Sequence, residues 1–243
     1  MRLLVSVRSA FEVVPALQGG ADIIDAKEPA NGSLGRVSAT TLLAIARRVP
    51  DERGLSIALG DLTDRGQLAA AIELTRGCAR TGETYVKLGF AGLSSPGLIG
   101  SLLAEAVRAL GAAPRIQVVA VAYADHVRAG ACPRDDIAQI ASEAGAVGVL
   151  LDTFTKDQGN LLSWLSPPEL DDWVAQLREK GVLAALAGSL QGHSFEVACA
   201  TQPDIIGVRG AACVGGRSGR VDRERVRGLR ALMRRPEAVT GDR

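Results

Sequence analysis

Histidine is nearly missing from this chain: His126 and His193 are the only two among 243 residues. That leaves little for a His-rich metal site or a serine-type triad. The four cysteines, Cys78, Cys132, Cys199 and Cys213, are far apart and show neither CxxC nor Cys/His spacing. They read as buried or half-buried free thiols, not zinc ligands, and no metal is expected. No segment approaches the roughly 18 uninterrupted apolar residues that span a bilayer. The opening stretch MRLLVSVRSAFEVV is broken at Arg8 and carries no small-residue cleavage site, so it reads as a first strand and the protein as cytoplasmic. A charge bias is also lacking: 28 basic against 27 acidic residues give a net charge of +1. Neither nucleic acid nor a membrane surface is therefore expected as a partner.

Lysine is the most telling scarcity. Of the 28 basic residues only Lys27, Lys87, Lys156 and Lys180 are lysine, and the rest are arginine. Surface charge can be carried by either residue. An amine that must lose its proton and attack a carbonyl cannot be replaced by guanidinium, whose pKa stays above about 12. The places where lysine persists are thus candidate sites of chemistry.

What is abundant is a regular alternation. Short apolar, β-branched runs, beginning with Leu3 to Val7 and ending with Ile205 to Val208, alternate eight times with amphipathic stretches such as PGLIGSLLAEAVRALG and SPPELDDWVAQLREKG. Hydrophobic residues make up 47% of the chain, enough for one large core. Eight βα units of this length predict an α/β protein folded as a single (β/α)8 barrel over residues 1–233, with 234–243 as a flexible tail. The alternative is an open doubly wound sheet. The first strand is not followed by GxGxxG, so the usual dinucleotide loop is absent.

In a barrel, catalytic groups come from the carboxyl ends of the strands. Here those ends read DIIDAKEP, YVKLGF, AYAD, LLDTFTK, ALAGS and GVRGAAC. Lys27, Lys87 and Lys156 sit at or just beyond strands two, four and six, while Lys180 ends a helix, where a cation suits the dipole. Residues two apart on a strand share a face, so Asp25 and Lys27 point the same way, and Lys27 and Lys87, from even strands, can converge. Asp125 and Asp152 add carboxylates. Crowded, partly desolvated amines lower one another's pKa, and one becomes nucleophilic. The competing view is that each lysine only forms a salt bridge with a neighbouring aspartate at the barrel rim.

A second signal lies at strands seven and eight. Gly188, Ser189 and Gly210 offer free backbone N–H groups, and Arg209 adds positive field, where barrels commonly hold phosphate. GGRSGR, carrying Arg217 and Arg220, reads either as a flap reaching toward phosphate or as a solvated turn. NGSLG at 31–35 reads as a loop able to cover the mouth or as an ordinary connection. Tyr85, Tyr123 and Trp164 read as packing residues.

Taken in order, GGADIIDAKEPANGSLG, YVKLGF, VAYAD, LLDTFTKD, ALAGSL and DIIGVRGAAC resemble the (5-formylfuran-3-yl)methyl phosphate synthase family, also called 4-(hydroxymethyl)-2-furancarboxaldehyde phosphate synthases, from residue 1 to about 230. The resemblance implies a lyase of methanofuran biosynthesis that condenses two molecules of glyceraldehyde 3-phosphate, one through its ketone isomer, with loss of phosphate and water. It implies no metal or organic cofactor. It further implies that Lys27 forms the Schiff base, that Lys87 transfers protons, and that Asp25, Asp152 and Lys156 support them. The order it suggests is isomerisation, iminium formation, aldol addition, phosphate elimination and cyclisation. The arginine-rich composition fits a bacterial member serving a methylofuran-type carrier in one-carbon metabolism. Two other readings fit the same residues: a Schiff-base aldolase of another phosphorylated sugar, and a non-catalytic phosphate-binding barrel. Any of the three is compatible with a homo-oligomer.

Overall fold

The computed structural model describes residues 1–78, 80–111 and 116–233, so the expected tail at 234–243 lies outside the described residues. Eight parallel strands close into a barrel: β1 (Arg2–Val7), β2 (Ile23–Ala26), β3 (Gly54–Asp61), β4 (Thr84–Gly89), β5 (Ile116–Tyr123), β6 (Gly148–Asp152), β7 (Leu183–Leu186) and β8 (Ile205–Val208). Closure is direct, since β1 pairs with β2 on one side and with β8 on the other. The open-sheet alternative is thereby removed.

The helices between them are α1 (Val13–Gln18), α2 (Ala39–Ala46), α3 (Arg65–Arg76), α4 (Pro96–Gly111), α5 (His126–Ala129), α6 (Arg134–Glu143), α7 (Pro167–Glu179), α8 (Gly192–Ala200) and α9 (Arg223–Leu232). Their boundaries follow local chemistry. The Ser38 and Asp64 side chains accept from backbone N–H groups at the starts of α2 and α3, and Ser166 with Glu169 forms a capping box ahead of Pro167. Beyond β8 a hairpin of β9 (Cys213–Val214) and β10 (Arg220–Val221) replaces the plain turn.

Alternation along the strands divides the apolar residues into two bodies. Leu3, Val5 and Val7 face the helices, in a shell that includes Leu42, Trp173 and Phe195. A smaller cluster, with Ile23, Tyr85, Val119, Val121, Leu150 and Ile205, fills the barrel itself. Strand register then sets the interior layers. A step of two residues at every second strand returns to its starting point around the barrel, as closure with a stagger of eight requires. Asp25, Lys87, Leu150 and Gly207 therefore form one layer, with Leu4, Ser56, Val119 and Ala185 below it. Lys27, Gly89, Asp152 and the Arg209 position form a layer nearer the mouth.

The hairpin is fastened by a buried ion pair. Arg209 Nη1 donates to Glu12 Oε2 at 2.6 Å and Nη2 donates to Glu12 Oε1 at 3.1 Å. The same guanidinium donates to the carbonyls of Ser6, Arg217 and Gly219. Burial alone would push the Glu12 carboxyl up, but hydrogen bonds from Arg209 and from the Arg8 and Val221 N–H groups hold it below the usual carboxylate range. With its folded pKa depressed, Glu12 stabilises the fold above an unfolded pKa of about 4.3, and this is lost as pH falls through the folded value. Removing Glu12 strands a buried guanidinium. Glu12→Ala is accordingly expected to cost about 3–5 kcal/mol in urea unfolding at pH 7, and a loss under about 0.5 kcal/mol would show that the hairpin is anchored elsewhere.

Candidate active site

Three amines and two carboxylates meet at the mouth. Asp25 is fully buried, and Lys87 Nζ lies 2.7 Å from its Oδ1. Its other oxygen accepts from Ser6 Oγ at 2.8 Å. Burial would raise the Asp25 pKa, yet the charges of Lys87 and Lys27 bring it below the ordinary value. Asp152 is arranged likewise. Its Oδ1 accepts from Lys156 Nζ at 2.5 Å and from the Thr153 N–H at 2.8 Å, while Oδ2 is buried without a hydrogen-bond partner among the described residues. Burial also opposes ionisation here, and Lys156 and Lys27 overcome it.

Lys27 is the amine left over. It follows β2 by one residue and is 6% exposed; its backbone N–H donates to the Val7 carbonyl, and its Nζ makes no hydrogen bond or ion pair to any described residue. Burial lowers its pKa to about 7; Asp152 and Asp25 oppose this, and the charges of Lys87 and Lys156 reinforce it. The Lys156 amine is also lowered, first by burial, although Asp152 counters. An amine whose protonated form is disfavoured by burial, and whose nitrogen has no partner to displace, is equipped to attack a carbonyl carbon.

These groups line a cavity of about 410 Å³ that extends to the ends of β7 and β8. Gly188 has φ 106° and Ser189 has φ 53°, one of two non-glycine residues with positive φ among those described. A Cβ at Gly188 would press on Thr153 and Leu161. This bend turns the Ser189 and Leu190 N–H groups away from the ladder, just before α8 begins at Gly192. Gly210 opens a 3-10 turn on β8, so its N–H and that of Ala211 are free of intrahelical bonds. Both loops line the cavity, and N–H groups outside the ladder at such loop-to-helix turns are the kind that receive anions.

Two of the charged strand-end residues, Asp125 and Arg209, have their polar atoms engaged within the fold. Asp125 accepts from the Phe154 and Thr155 N–H groups at 2.6 and 2.8 Å, holding the loop after β6, and does not line the cavity. Arg209 reaches the cavity wall, but its donors are committed to Glu12 and the hairpin. Arg217 is neither a free flap nor a solvated turn: Nη2 donates to Pro29 and Gly32 carbonyls at 3.1 and 2.7 Å, tying the hairpin to the loop after Lys27. Arg220 is exposed on β10.

Several residues of the site region escaped the sequence. Tyr123 donates to Asp61 Oδ1 at 2.7 Å and accepts from Ser33 Oγ at 3.2 Å, pinning the NGSLG loop across the mouth. Tyr123 is thus more than packing. Ser56 is wholly buried, lines the cavity and has no hydrogen-bond partner among the described residues. Its neighbour in register is Asp25. Parity with Asp25 was the available signal, but a lone serine in an apolar strand does not stand out.

The sequence profile of the 4-HFC-P synthase family matches residues 3–230. The chain belongs to that family. It is 34% identical over 240 residues to a (5-formylfuran-3-yl)methyl phosphate synthase of Methanothermobacter thermautotrophicus, covering 96% of this chain and 99% of the relative. A Methanocaldococcus jannaschii protein of the same name is 36% identical over 236 residues, again covering 96% and 99%. Among solved structures, 3-hexulose-6-phosphate synthase from Salmonella typhimurium superposes with a TM-score of 0.65 at 19% identity, covering 96% of this chain and 98% of that one. Phosphoribosyl anthranilate isomerase from Thermotoga maritima gives 0.64 at 14%, with the same coverage. At such identities these two speak for the barrel alone. Family membership makes the chain a synthase, and among the described residues no helix is long and apolar enough to cross a membrane.

The depressed Lys27 pKa has a consequence for stability with a definite sign. The folded state resists protonating this amine, so the penalty is fully present below pH 7 and vanishes as pH rises toward 10.5. Lys27→Met should therefore melt above the wild type at pH 7, with the difference narrowing steadily up to pH 10. A pH-independent difference in thermal melts would show that the amine is charged and paired in the fold.

Proposed function

We propose that this chain joins two triose phosphates, glyceraldehyde 3-phosphate and its ketone isomer, into (5-formylfuran-3-yl)methyl phosphate through an imine on Lys27. This would make it a carbon-oxygen lyase supplying the furan of a methanofuran- or methylofuran-type carrier. The observation that carries the reading is the buried, unpartnered Lys27 amine, with its pKa near 7, between two carboxylates already engaged by other lysines. The names of the full-length relatives supply the product.

Each charged group then has a task. Lys27 Nζ bonds to a triose carbonyl carbon, and the carbonyl oxygen leaves as water once it is protonated. The resulting iminium acidifies the neighbouring C–H. Lys87, with Asp25 as its counter-charge 2.7 Å away, passes protons between the substrate carbons and oxygens. Asp152 Oδ2, free to accept, and Lys156 serve proton transfers on the opposite wall. The N–H groups of Ser189, Leu190, Gly210 and Ala211 hold a substrate phosphate. Overall, the atoms of two trioses and one furan balance with the release of one phosphate and two waters. Hydrolysis of the final imine frees Lys27.

Glyceraldehyde 3-phosphate alone should give a furan chromophore and inorganic phosphate with this enzyme. Borohydride added during turnover should leave an adduct on the peptide containing Lys27. Lys27→Arg keeps a basic side chain but cannot form an imine, and should lower turnover by at least about 10³-fold. A reversible aldol product without phosphate release would favour an aldolase of another sugar phosphate, and a Lys27→Arg enzyme of near wild-type rate would end the imine assignment.

A further inference from the structure

Barrels of this kind fill their interior with layers of bulky side chains. Here the layers beneath Lys27 run small: Ser6, Ala58 and Ala187 beside Val121 come first, then Gly207 beside Leu150, then Ser56 and Ala185. Gly148, at the start of β6, is a further gap in the next layer down. The active-site cavity continues into the space these residues leave, where it is bordered by Leu4, Val119, Leu150 and Ile205. Tyr85 forms the floor, locked by hydrogen bonds with Arg2 and Glu83 at 3.0 and 2.6 Å. One polar side chain in this space is unused: the Ser56 hydroxyl, wholly buried and without a partner among the described residues. A buried hydroxyl left unpaired costs about 1–3 kcal/mol. Such a group is retained at a cavity wall where something else completes its hydrogen bonds.

We infer that this chamber is a second part of the substrate site, receiving the uncharged carbonyl and hydroxyl end of a triose phosphate, with Ser56 Oγ as its hydrogen-bonding group. The inference deepens the reading of Lys27 as the amine that meets a phosphorylated carbonyl substrate. A phosphate does not suit the chamber. Its walls are apolar, the strand N–H groups are spent in the ladder, its carboxylate is Asp25, and the Lys87 amine is held by that carboxylate. The phosphate end stays at the β7 and β8 loops, and the carbon chain points down the axis past Lys27. Ser56 then acts as a specificity-determining residue that favours a hydroxylated chain over a bare one. Water is excluded from the carbons next to the imine once the chamber is filled.

Gly207 provides a direct test, because a Cβ there meets Ala187 and Leu4 at an ordinary 3.5 Å. Gly207→Leu would fill the chamber from the strand across the barrel from Lys87, leaving the lysines and the phosphate loops unsubstituted. Thermal shifts would be read with inorganic phosphate and with dihydroxyacetone phosphate, alongside furan formation from glyceraldehyde 3-phosphate. The wild type should be stabilised more by the triose phosphate than by phosphate. Gly207→Leu should keep the phosphate shift, lose the additional triose shift and lose at least tenfold in kcat/KM. Ser56→Ala should keep the phosphate shift with a reduced triose shift and a KM raised several-fold. Gly207→Ala serves if the leucine variant does not fold. The chamber is overturned if triose phosphate and phosphate stabilise the wild type equally, or if the substituted enzymes show wild-type shifts and kinetics. A triose-specific shift in the wild type without furan formation would leave the chamber standing and remove the proposed reaction.

Discussion

Lys27, Lys87 and Lys156 share the barrel mouth with Asp25 and Asp152, and three amines cannot all be neutralised by two carboxylates. Lys87 takes Asp25 at 2.7 Å and Lys156 takes Asp152 at 2.5 Å, so the charge left without a close partner is that of Lys27. Had the count been equal, each amine would be fixed as an ammonium in a buried ion pair, stable and chemically inert. With one amine in excess and buried, its protonated state is disfavoured relative to an exposed lysine. The proposed nucleophile is thus singled out by what its neighbours have already claimed. Each aspartate in turn stays ionised beside the lysine paired with it, and an ionised carboxylate can take a proton.

Such an arrangement holds only if the elements bearing these groups cannot relax. Lys87 and Asp25 lie in one interior layer and Lys27 and Asp152 in the layer above, positions dictated by strand register and not by loop conformation. The cover is fixed by longer chains of contact. Glu12 holds Arg209, Arg209 holds the β9–β10 hairpin, and Arg217 of the hairpin holds the loop after Lys27. From the other side, Asp61 and Tyr123 hold Ser33 of the same loop. The loop that follows Lys27 is therefore clamped twice, a cover that would limit the water reaching the proposed imine.

The barrel and its polar rim were legible because both rest on short-range periodicity. Eight apolar runs sit where eight strands form, and the two-residue spacing of Asp25 and Lys27 places both on the inner face. The scarcity of lysine drew attention to the residues that now stand together. Long-range partners left no such mark. Glu12 and Arg209 are 197 positions apart, and nothing near either one announces the other. Asp125 sits at a strand end like the others, so it was grouped with substrate contacts. Its actual partners are the backbone N–H groups of Phe154 and Thr155, which no side-chain pattern reveals. The ion pair of Arg209 is hidden for a related reason: a guanidinium at a phosphate loop and one paired with a buried carboxylate look alike until the carboxylate appears.

A barrel whose upper layers carry charges and whose middle layers carry serine, alanine and glycine gains little cohesion from its own interior. The compensating apolar contact is outside the sheet. The shell between strands and helices joins residues from every strand and most helices into one continuous cluster, much larger than the cluster inside the barrel. At about 25 cal/mol per Å² of apolar surface removed from water, most hydrophobic stabilisation must arise where most of that surface is buried. The division of labour follows from strand alternation itself: outward residues carry the fold, and inward residues are released from that duty. This permits a fully buried Asp25, an unpaired Ser56 hydroxyl and a neutral amine to share one small volume.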